Sequence, residues 1–249
     1  MKRSKKRPGL LKGLLSFVYL ALIVLSVRWL VFEVFVIPSG SMYPKLYVND
    51  YLIVSKFDFG LRIPFTKIWA LGPYPSKRNS IVVFLSRDES KYYIKRLVGL
   101  PGDELVIAGD FIIELNGEKL EHELFSDDEK KTLSNKMGFP LGTFEAFREK
   151  GKDFERVILV NEGEKPPSEW GEEKLEMMSE SFSPPPGYIL FMGDNRHQSH
   201  DGRIFGYMEQ EKLIGLSRFV GLSCETKVLG AGCDPTALRT ERILMGTSE

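Results

Sequence analysis

Apolar residues follow two different patterns along this chain. Residues 14–32 form one nearly continuous apolar run of 19 positions, in which Arg28 is the only charge. At about 1.5 Å per helical residue, the run is close in length to the ~30 Å hydrocarbon core of a bilayer. Beyond residue 32, apolar residues form short runs rich in Val, Ile, Tyr and Phe. The pattern therefore predicts one membrane-spanning helix followed by a domain built from strands.

The short runs predict antiparallel strands. Gly, Pro, Asn or Asp punctuates them, and their spacing indicates hairpins and not alternating βαβ units. Residues 100–103 (Leu-Pro-Gly-Asp) suit a type II turn, and residues 115–118 contain the Asn-Gly pair of a tight hairpin. The predicted strands cover residues 51–55, 81–85, 92–98, 104–107, 111–115, 157–160, 188–192 and 213–220.

Residues 109–186 differ in composition from the rest of the chain. The stretch is highly charged, contains Glu-Gly-Glu-Lys-Pro-Pro at 162–167, and ends in three prolines at 184–186 that form a stiff exit. It is expected to be an insertion with small hairpins and one or two short helices, of which residues 172–179 are a candidate. No chemistry-bearing motif occurs in it, so a structural or partner-contact role is the default expectation.

The predicted fold is mainly β, with antiparallel sheets, one N-terminal transmembrane helix and an inserted α+β subdomain. Its segments are a basic cytoplasmic tail at 1–12, an anchor at 13–33, a β domain that carries the candidate site at 34–108 and 187–230, the insertion at 109–186 and a C-terminal tail at 231–249.

The charges before the apolar run predict its direction. Six cations and no acid precede it, so by the positive-inside rule the N-terminus stays in the cytoplasm and the chain after residue 32 faces outward. A cleaved secretory signal is the alternative interpretation. The run is long for such a signal, and only residues 24–26 (Val-Leu-Ser) resemble a cleavage site. Retention as an anchor is therefore the prediction.

Charge and cysteine content narrow the possible partners. The chain has 34 Lys and Arg and 34 Asp and Glu residues; seven of these cations and one acid lie in the first 33 residues, so residues 34–249 carry a net charge of −6. This part shows no basic stripe, which argues against nucleic-acid binding. Only Cys224 and Cys233 could form a disulfide, and two buried thiols are an equally good interpretation.

A serine on a constrained turn is the first candidate for chemistry. Ser41 lies nine residues beyond residue 32, in the sequence Pro-Ser-Gly-Ser-Met-Tyr-Pro at 38–44. A serine held near a bilayer surface is placed to attack a segment that emerges from that bilayer. By itself, however, a Ser-Gly-Ser tripeptide is usually a plain turn.

Lys95 is the candidate base. In a strand it shares a face with Tyr93 and Leu97, while Ile94 and Val98 occupy the other face. Apolar neighbours on both faces predict burial, which lowers the pKa of a lysine and leaves a neutral amine able to accept a serine proton. The alternative is a lysine that extends its charged end to water.

A polar segment follows the strand at 188–192. It contains two Asp and two Arg within ten residues, which can form an ion-pair network that stiffens a loop. A metal site is the competing interpretation, but the two arginines would oppose a cation and the segment does not look helical. Its possible metal ligands are Asp194, His197, His200 and Asp201.

Three segments, in this order, resemble the motifs of type I signal peptidases, the membrane serine proteases that use a Ser-Lys dyad. Residues 37–44 look like the nucleophile motif, residues 93–103 like the base motif, and residues 193–206 like the C-terminal structural motif; residues 49–54 are similar to an intervening strand motif. The resemblance covers about residues 30–110 and 187–220. The insertion between them is the part that varies in size in this family.

The resemblance implies a role for each matching residue. Ser41 would be the nucleophile, Lys95 the general base, and the Ser39 hydroxyl with the Ser41 backbone N–H the oxyanion hole. Ser199 would orient the Lys95 amine. Structural support would come from Asp194, Arg196, Asp201 and Arg203. The shallow pockets for small substrate residues would involve Phe35, Ile37, Pro38, Met42, Leu46, Tyr93 and Ile94.

The expected function is removal of N-terminal signal peptides from exported preproteins by a membrane-bound serine endopeptidase that cuts after small-x-small sequences. Its partners would be signal peptides, the lipid bilayer and a nearby secretion translocon, with no metal or cofactor. The chain would be a single-pass protein of the inner (cytoplasmic) membrane, with an extracytoplasmic catalytic domain.

Some positions depart from the family pattern. His197 stands where an acid is common, Gly202 replaces a frequent serine, Asn79-Ser80 replaces Gly-Asp, and Lys45 replaces a common Thr. None of these changes removes a catalytic group. Two other functions stay open: a peptidase dedicated to a few substrates, and an inactive relative that serves as a membrane-tethered scaffold.

Overall fold

A computed structural model describes residues 10–63, 66, 68–74, 77–225, 233–234 and 236–247. Its helices are α1 (Leu10–Leu30), α2 (Asp127–Met137), α3 (Glu172–Met178) and α4 (Gly202–Phe205). Its strands are β1 (Phe32–Val36), β2 (Asp50–Ser55), β3 (Leu61–Arg62), β4 (Trp69–Leu71), β5 (Ile81–Leu85), β6 (Tyr92–Gly99), β7 (Leu105–Ala108), β8 (Phe111–Leu115), β9 (Glu118–Lys119), β10 (Glu121–Leu124), β11 (Glu145–Gly151), β12 (Phe154–Val160), β13 (Ser179–Phe182), β14 (Tyr188–Met192), β15 (Met208–Glu209) and β16 (Leu213–Ser223).

A seven-stranded sheet forms the centre of the fold, in the order β1-β2-β16-β5-β6-β14-β15. Its paired strands run antiparallel, so the predicted mainly β, antiparallel fold is confirmed. All five side chains of β5 are buried, which explains its uninterrupted apolar sequence. In the register of β5 with β6, Val82 lies opposite Lys95 and Ile81 opposite Arg96.

Both predicted turns have the expected backbone. Gly102 has φ +83°, and the Asp103 N–H donates to the Leu100 carbonyl at 3.0 Å, as in a type II turn. Asn116 and Gly117 both have positive φ, at +53° and +79°, as a two-residue hairpin loop of type I′ requires.

The insertion is joined to the rest of the fold by strand pairing. One four-stranded sheet has the order β13-β7-β8-β9, so it crosses the predicted boundary between residues 108 and 109. A three-stranded sheet, β10-β11-β12, includes β11, which the sequence pattern did not predict because only three of its seven residues are apolar or glycine. At the end of this sheet, the Leu159 N–H donates to the Asp194 carbonyl at 2.9 Å. The predicted segment boundaries stay predictions.

The N-terminal helix covers a slightly different range from the predicted apolar run. Helix α1 begins at Leu10 and ends at Leu30, and Phe32 begins β1. Among the residues whose side chains the structure describes, there is no helix that is long and apolar enough to cross a membrane. Most of the basic tail lies outside the described residues.

The C-terminal part returns to the central sheet. Cys224 and Cys233 form a disulfide, which resolves the alternatives that the sequence left open. Beyond it, Arg242 is buried and makes an ion pair with Asp50 at 2.5 Å. Described residues of the predicted tail therefore pack against the β domain.

Candidate active site

Ser41 lies on a short 3-10 helix, Gly40–Met42, that directly follows β1. The Asn195 backbone N–H donates to the Ser41 carbonyl at 3.1 Å, and the Asn195 Nδ2 donates to the Gly40 carbonyl at 3.0 Å. On the other side, the Leu46 N–H donates to the Met42 carbonyl. The turn is therefore fixed on both sides by hydrogen bonds to its backbone.

Lys95 lies in β6 with its amine against this turn. Its Nζ donates to the Ser41 Oγ at 2.5 Å, across 54 residues of sequence. The residue is only 4% exposed, and burial lowers the pKa of Lys95 to about 8 by disfavouring the charged amine. The carboxylates of Asp201 and Asp194 act in the opposite direction, while Arg203 reinforces the shift. With a pKa of about 8, roughly a tenth of the amine is neutral at pH 7 and half of it near pH 8, so a neutral amine that can act as a base is available.

Ser39 is the residue that precedes the 3-10 helix. Its Oγ donates to the Ser41 Oγ at 3.5 Å, so the two hydroxyls share one side of the turn. Ser39 is exposed, whereas Ser41 is at the edge of burial. A group that approaches Ser41 from solvent therefore also meets Ser39.

Ser199 is buried close to the turn, and the described structure shows no hydrogen bond from it to Lys95. Among the described residues, its Oγ has no hydrogen-bond partner of regular geometry. Gly193 lies between Ser199 and the turn: a Cβ at position 193 would overlap the Ser199 Oγ and lie 2.5 Å from the Ser41 carbonyl oxygen. The close approach of the two serines therefore depends on the missing side chain of Gly193.

Two ion pairs hold the predicted structural residues. Arg96 donates to both carboxylate oxygens of Asp194, at 2.7 and 2.6 Å, and both side chains are buried. Arg203 donates to Asp201 at 2.9 Å. Burial raises the pKa of Asp201, but the hydrogen bonds and charge of Arg203 outweigh it, so the pKa is lowered and the carboxylate stays ionised. The Asp201 carboxylate in turn accepts the Gly193 N–H at 2.9 Å.

The fourth predicted structural residue, Arg196, pairs with a residue that sequence reasoning missed. Its Nη2 lies 2.8 Å from the carboxylate of Glu149, which also forms an ion pair with Arg156. Burial raises the pKa of Glu149, but the two guanidinium groups outweigh it and hold that pKa well below the usual value. Glu149 and Arg156 lie in the insertion, where the sequence analysis found no chemistry.

A cavity of about 360 Å³ opens beside Ser41 and Lys95. It brings together most of the predicted substrate-binding residues, namely Ile37, Pro38, Met42, Tyr93 and Ile94. The other two are close by: Leu46 is buried in the same core cluster as Ile37 and Met42, and Phe35 packs against that cluster. The lining residues that were not predicted to bind substrate or to act in catalysis are Lys91, Tyr92, Gln198 and His200.

The competing metal ligands are not brought together. No group of three or more His, Cys, Asp or Glu residues is placed to hold a metal ion in the described part of the chain. Asp194 and Asp201 are instead paired with arginines. His197 is partly buried, and that burial lowers its pKa.

An antiparallel β domain that places a buried amine against a serine hydroxyl is the arrangement expected of a hydrolase with a serine nucleophile. Comparison with known proteins supports a hydrolase, and more narrowly a peptidase. The family model "Signal peptidase, peptidase S26" matches residues 10–222, which is most of the chain. The chain therefore belongs to the signal peptidase family, peptidase S26, and it is a hydrolase of the signal peptidase I type.

Several curated relatives are similar over most of their length. Signal peptidase I of Rickettsia massiliae is 33% identical over 84% of this chain and 78% of its own. The Pseudomonas aeruginosa enzyme is 32% identical over 87% of this chain and 70% of its own. That of Buchnera aphidicola from Acyrthosiphon pisum is 28% identical over 98% and 84%.

A solved signal peptidase I from Enterococcus faecalis covers 57% of this chain and 95% of its own length. Its identity is 22% and its TM-score 0.30, a likeness too weak to carry an argument.

Proposed function

We propose that this protein removes N-terminal signal peptides from exported preproteins, with Ser41 as nucleophile and Lys95 as general base. The observation that carries the proposal is the 2.5 Å contact between the Lys95 Nζ and the Ser41 Oγ. In the described residues this is the one hydrogen bond of the Lys95 amine, so a neutral amine has the Ser41 proton as its natural target.

The reaction proceeds through two acyl transfers. Lys95 takes the Ser41 proton as Oγ attacks the scissile carbonyl, and the resulting ammonium gives that proton to the leaving amine as the C–N bond breaks. The released amine is the new N-terminus of the mature protein. Water then attacks the ester, Lys95 accepts its proton, and the proton returns to the Ser41 Oγ as the ester C–O bond breaks.

The oxyanion is held by the Ser41 backbone N–H and the Ser39 hydroxyl. The first N–H groups of a helical turn have no partner within that turn, and Ser41 lies in such a turn. The Ser39 Oγ lies 3.5 Å from the Ser41 Oγ, on the side that faces solvent. Ser199 orients the Lys95 amine after a small adjustment, because its hydroxyl is buried beside Gly193 and close to the Ser41 carbonyl.

The apolar part of the cavity lining supports cleavage after small-x-small sequences. Ile37, Met42, Tyr93 and Ile94 line this cavity and contribute apolar surface beside Ser41. Large substrate side chains would collide with this surface, whereas small ones let the backbone approach the nucleophile.

The chain acts at the inner (cytoplasmic) membrane, where α1 is its single anchor. The side chains of this helix described as exposed are mostly large and apolar, among them Leu14, Leu15, Phe17, Leu20 and Leu22. Such a surface is unfavourable in water and suited to lipid. With the basic N-terminus in the cytoplasm, we expect Ser41 near the outer surface of the bilayer and close to the secretion translocon. This expectation is supported by the short connection between α1 and β1, which begins two residues after the helix ends.

The test is cleavage of several unrelated preproteins by the full-length chain in detergent or lipid. Ser41→Ala and Lys95→Ala are expected to abolish cleavage while remaining folded, and the exposed Ser90→Ala and Lys119→Ala serve as matched controls with full activity. Cleavage that survives Ser41→Ala would refute the assignment. Cleavage of only one preprotein would instead support a dedicated peptidase, and a folded wild type that cuts none would support a scaffold.

A further inference from the structure

Glu149 is a fully buried carboxylate in strand β11 of the insertion, with 0% of its surface exposed. It accepts hydrogen bonds from Arg196 at 2.8 and 3.3 Å and from Arg156 at 2.5 Å, and it lies 3.3 Å from His122. Burying three charged groups has a large desolvation cost, which is offset only when the geometry is well satisfied. A cluster of this kind fixes the positions of its members.

Arg196 connects Glu149 to the turn that contains Ser41. Its Nε donates to the Gly193 carbonyl at 3.1 Å, which fixes the beginning of the loop at residues 193–203. Between these two residues, Asn195 makes the hydrogen bonds to the Ser41 and Gly40 carbonyls. A displacement of Arg196 would therefore move Asn195 and the Ser41 turn with it.

Asp110 gives the same loop a second contact from the insertion. Its backbone carbonyl accepts from the Arg196 Nη1 at 2.5 Å, and its carboxylate accepts from the Arg203 Nη1 at 2.5 Å. The strand β12 adds the Leu159 N–H bond to the Asp194 carbonyl. Among these contacts, only the Glu149 contact places a buried opposite charge against the Arg196 guanidinium.

We infer that Glu149 is a positioning residue for the peptidase reaction: its carboxylate holds Arg196, and through Arg196 the 193–203 loop and the Ser41 turn. The inference rests on the proposed function for its kinetic consequence. It gives the insertion a part in catalysis beyond a structural or partner-contact role.

The test compares Glu149→Gln with Glu145→Gln in the full-length chain. Glu145 lies in the same strand, but its carboxylate pairs with Lys130 and not with an arginine of the 193–203 loop, so it is a matched control. Glu149→Gln is expected to lower kcat on a preprotein by about 10- to 100-fold with KM within about twofold, as expected when reacting groups are misplaced. Amide hydrogen exchange at Asn195 should become at least about tenfold faster, because local opening becomes easier. Glu145→Gln should leave both unchanged.

A double variant separates positioning from stability. Glu149→Gln with Arg156→Gln keeps the net charge of the buried cluster, so it removes the excess positive charge that Glu149→Gln alone creates, while Arg196 still lacks its carboxylate. If kcat stays low in this folded variant, the inference holds; if kcat returns to the wild-type value, Glu149 contributes only to stability. Glu149→Asp, which keeps the charge, should recover part of kcat and decides the question if the glutamine variants do not fold.

Failure of the proposed function can be distinguished from failure of this inference, because cleavage tests the first and hydrogen exchange at Asn195 tests the second. If Ser41→Ala still cleaves, or wild type does not, the proposed function is wrong, yet exchange at Asn195 still reports whether Glu149 holds the loop. Unchanged exchange at Asn195 in folded Glu149→Gln would overturn the inference whatever the activity.

Discussion

Lys95 and Arg96 are neighbours in strand β6, and their side chains reach different halves of the site. The Lys95 amine contacts Ser41, whereas Arg96 contacts Asp194 and the Asn79 carbonyl. This division follows from the alternation of side chains along a strand. The register of β6 therefore fixes the positions of both the Lys95 amine and the loop that contains Asp194, and a slip of one residue would put the Arg96 guanidinium in place of the amine.

The rate of cleavage should depend on the protonation of Lys95. Because its pKa is lowered to about 8, we expect kcat/KM to rise with pH below that value and to be half-maximal near it. The measurement is a pH profile between mildly acidic and alkaline pH on one peptide substrate. A flat profile over this range would contradict Lys95 as the base.

Replacing Lys95 should stabilise the folded protein while removing activity. The pKa is lowered from 10.5 to about 8, so folding disfavours the protonated amine. This cost is fully present below pH 8 and disappears as pH rises toward the unfolded-state value. At about 1.4 kcal/mol per pKa unit, the cost at pH 7 is on the order of 3 kcal/mol.

Lys95→Met is therefore expected to have a higher Tm than wild type at pH 7, with a smaller difference at pH 10. Thermal unfolding in detergent measures the Tm at both pH values. The exposed Lys119→Met is the control, and its Tm should not differ from that of wild type. A Lys95→Met protein less stable than wild type at pH 7 would contradict the predicted cost.

Gly193→Ala should disturb the turn that contains Ser41. The added Cβ would overlap the Ser199 Oγ and lie 2.5 Å from the Ser41 carbonyl oxygen, so one of the two must move. Since misplacement by about 1 Å can cost about 100-fold in rate, we expect a loss of that order in kcat. Gly171→Ala, which meets nothing within 4 Å, is the control and should be close to wild type.

Asp194→Asn should destabilise the protein strongly. The change leaves the buried Arg96 guanidinium without its opposite charge, and breaking such a pair typically costs about 3–5 kcal/mol. In contrast, Glu169→Gln removes an exposed pair with Lys165 and should cost at most about 1 kcal/mol. Chemical denaturation measures the free energy of unfolding of both variants. Equal losses of that free energy would contradict a larger contribution from the buried Arg96–Asp194 pair.

Local patterns predicted the strands that are apolar and the turns that need positive φ. The runs at 81–85, 111–115 and 188–192 match β5, β8 and β14, because apolar residues bounded by turn signals have few other arrangements. Strand β11 was missed because its charged residues, Glu149 among them, are satisfied by partners that no local pattern reveals.

Of the site residues, the sequence predicted only those that belong to one of the family motifs. The strand pattern around Lys95 correctly indicated burial, but the motif resemblance was needed to pair it with Ser41. The Glu149–Arg196 pair joins residues 47 apart, and the Arg156–Asn79 hydrogen bond joins residues 77 apart. One clue was present in the sequence: Arg156 precedes the apolar end of β12, where a buried charge requires a partner.

The hydrogen bond from Asn195 to Gly40 spans 155 residues. The site therefore cannot be completed until long after Ser41 and Lys95 have been synthesised. A growing chain contains the serine and the lysine long before it contains the asparagine that braces the turn. We expect such an incomplete chain to hold both reactive groups without the geometry that makes them effective. The capacity to cut would then arise only after residue 195 has been synthesised and its side chain has folded against the Gly40 carbonyl.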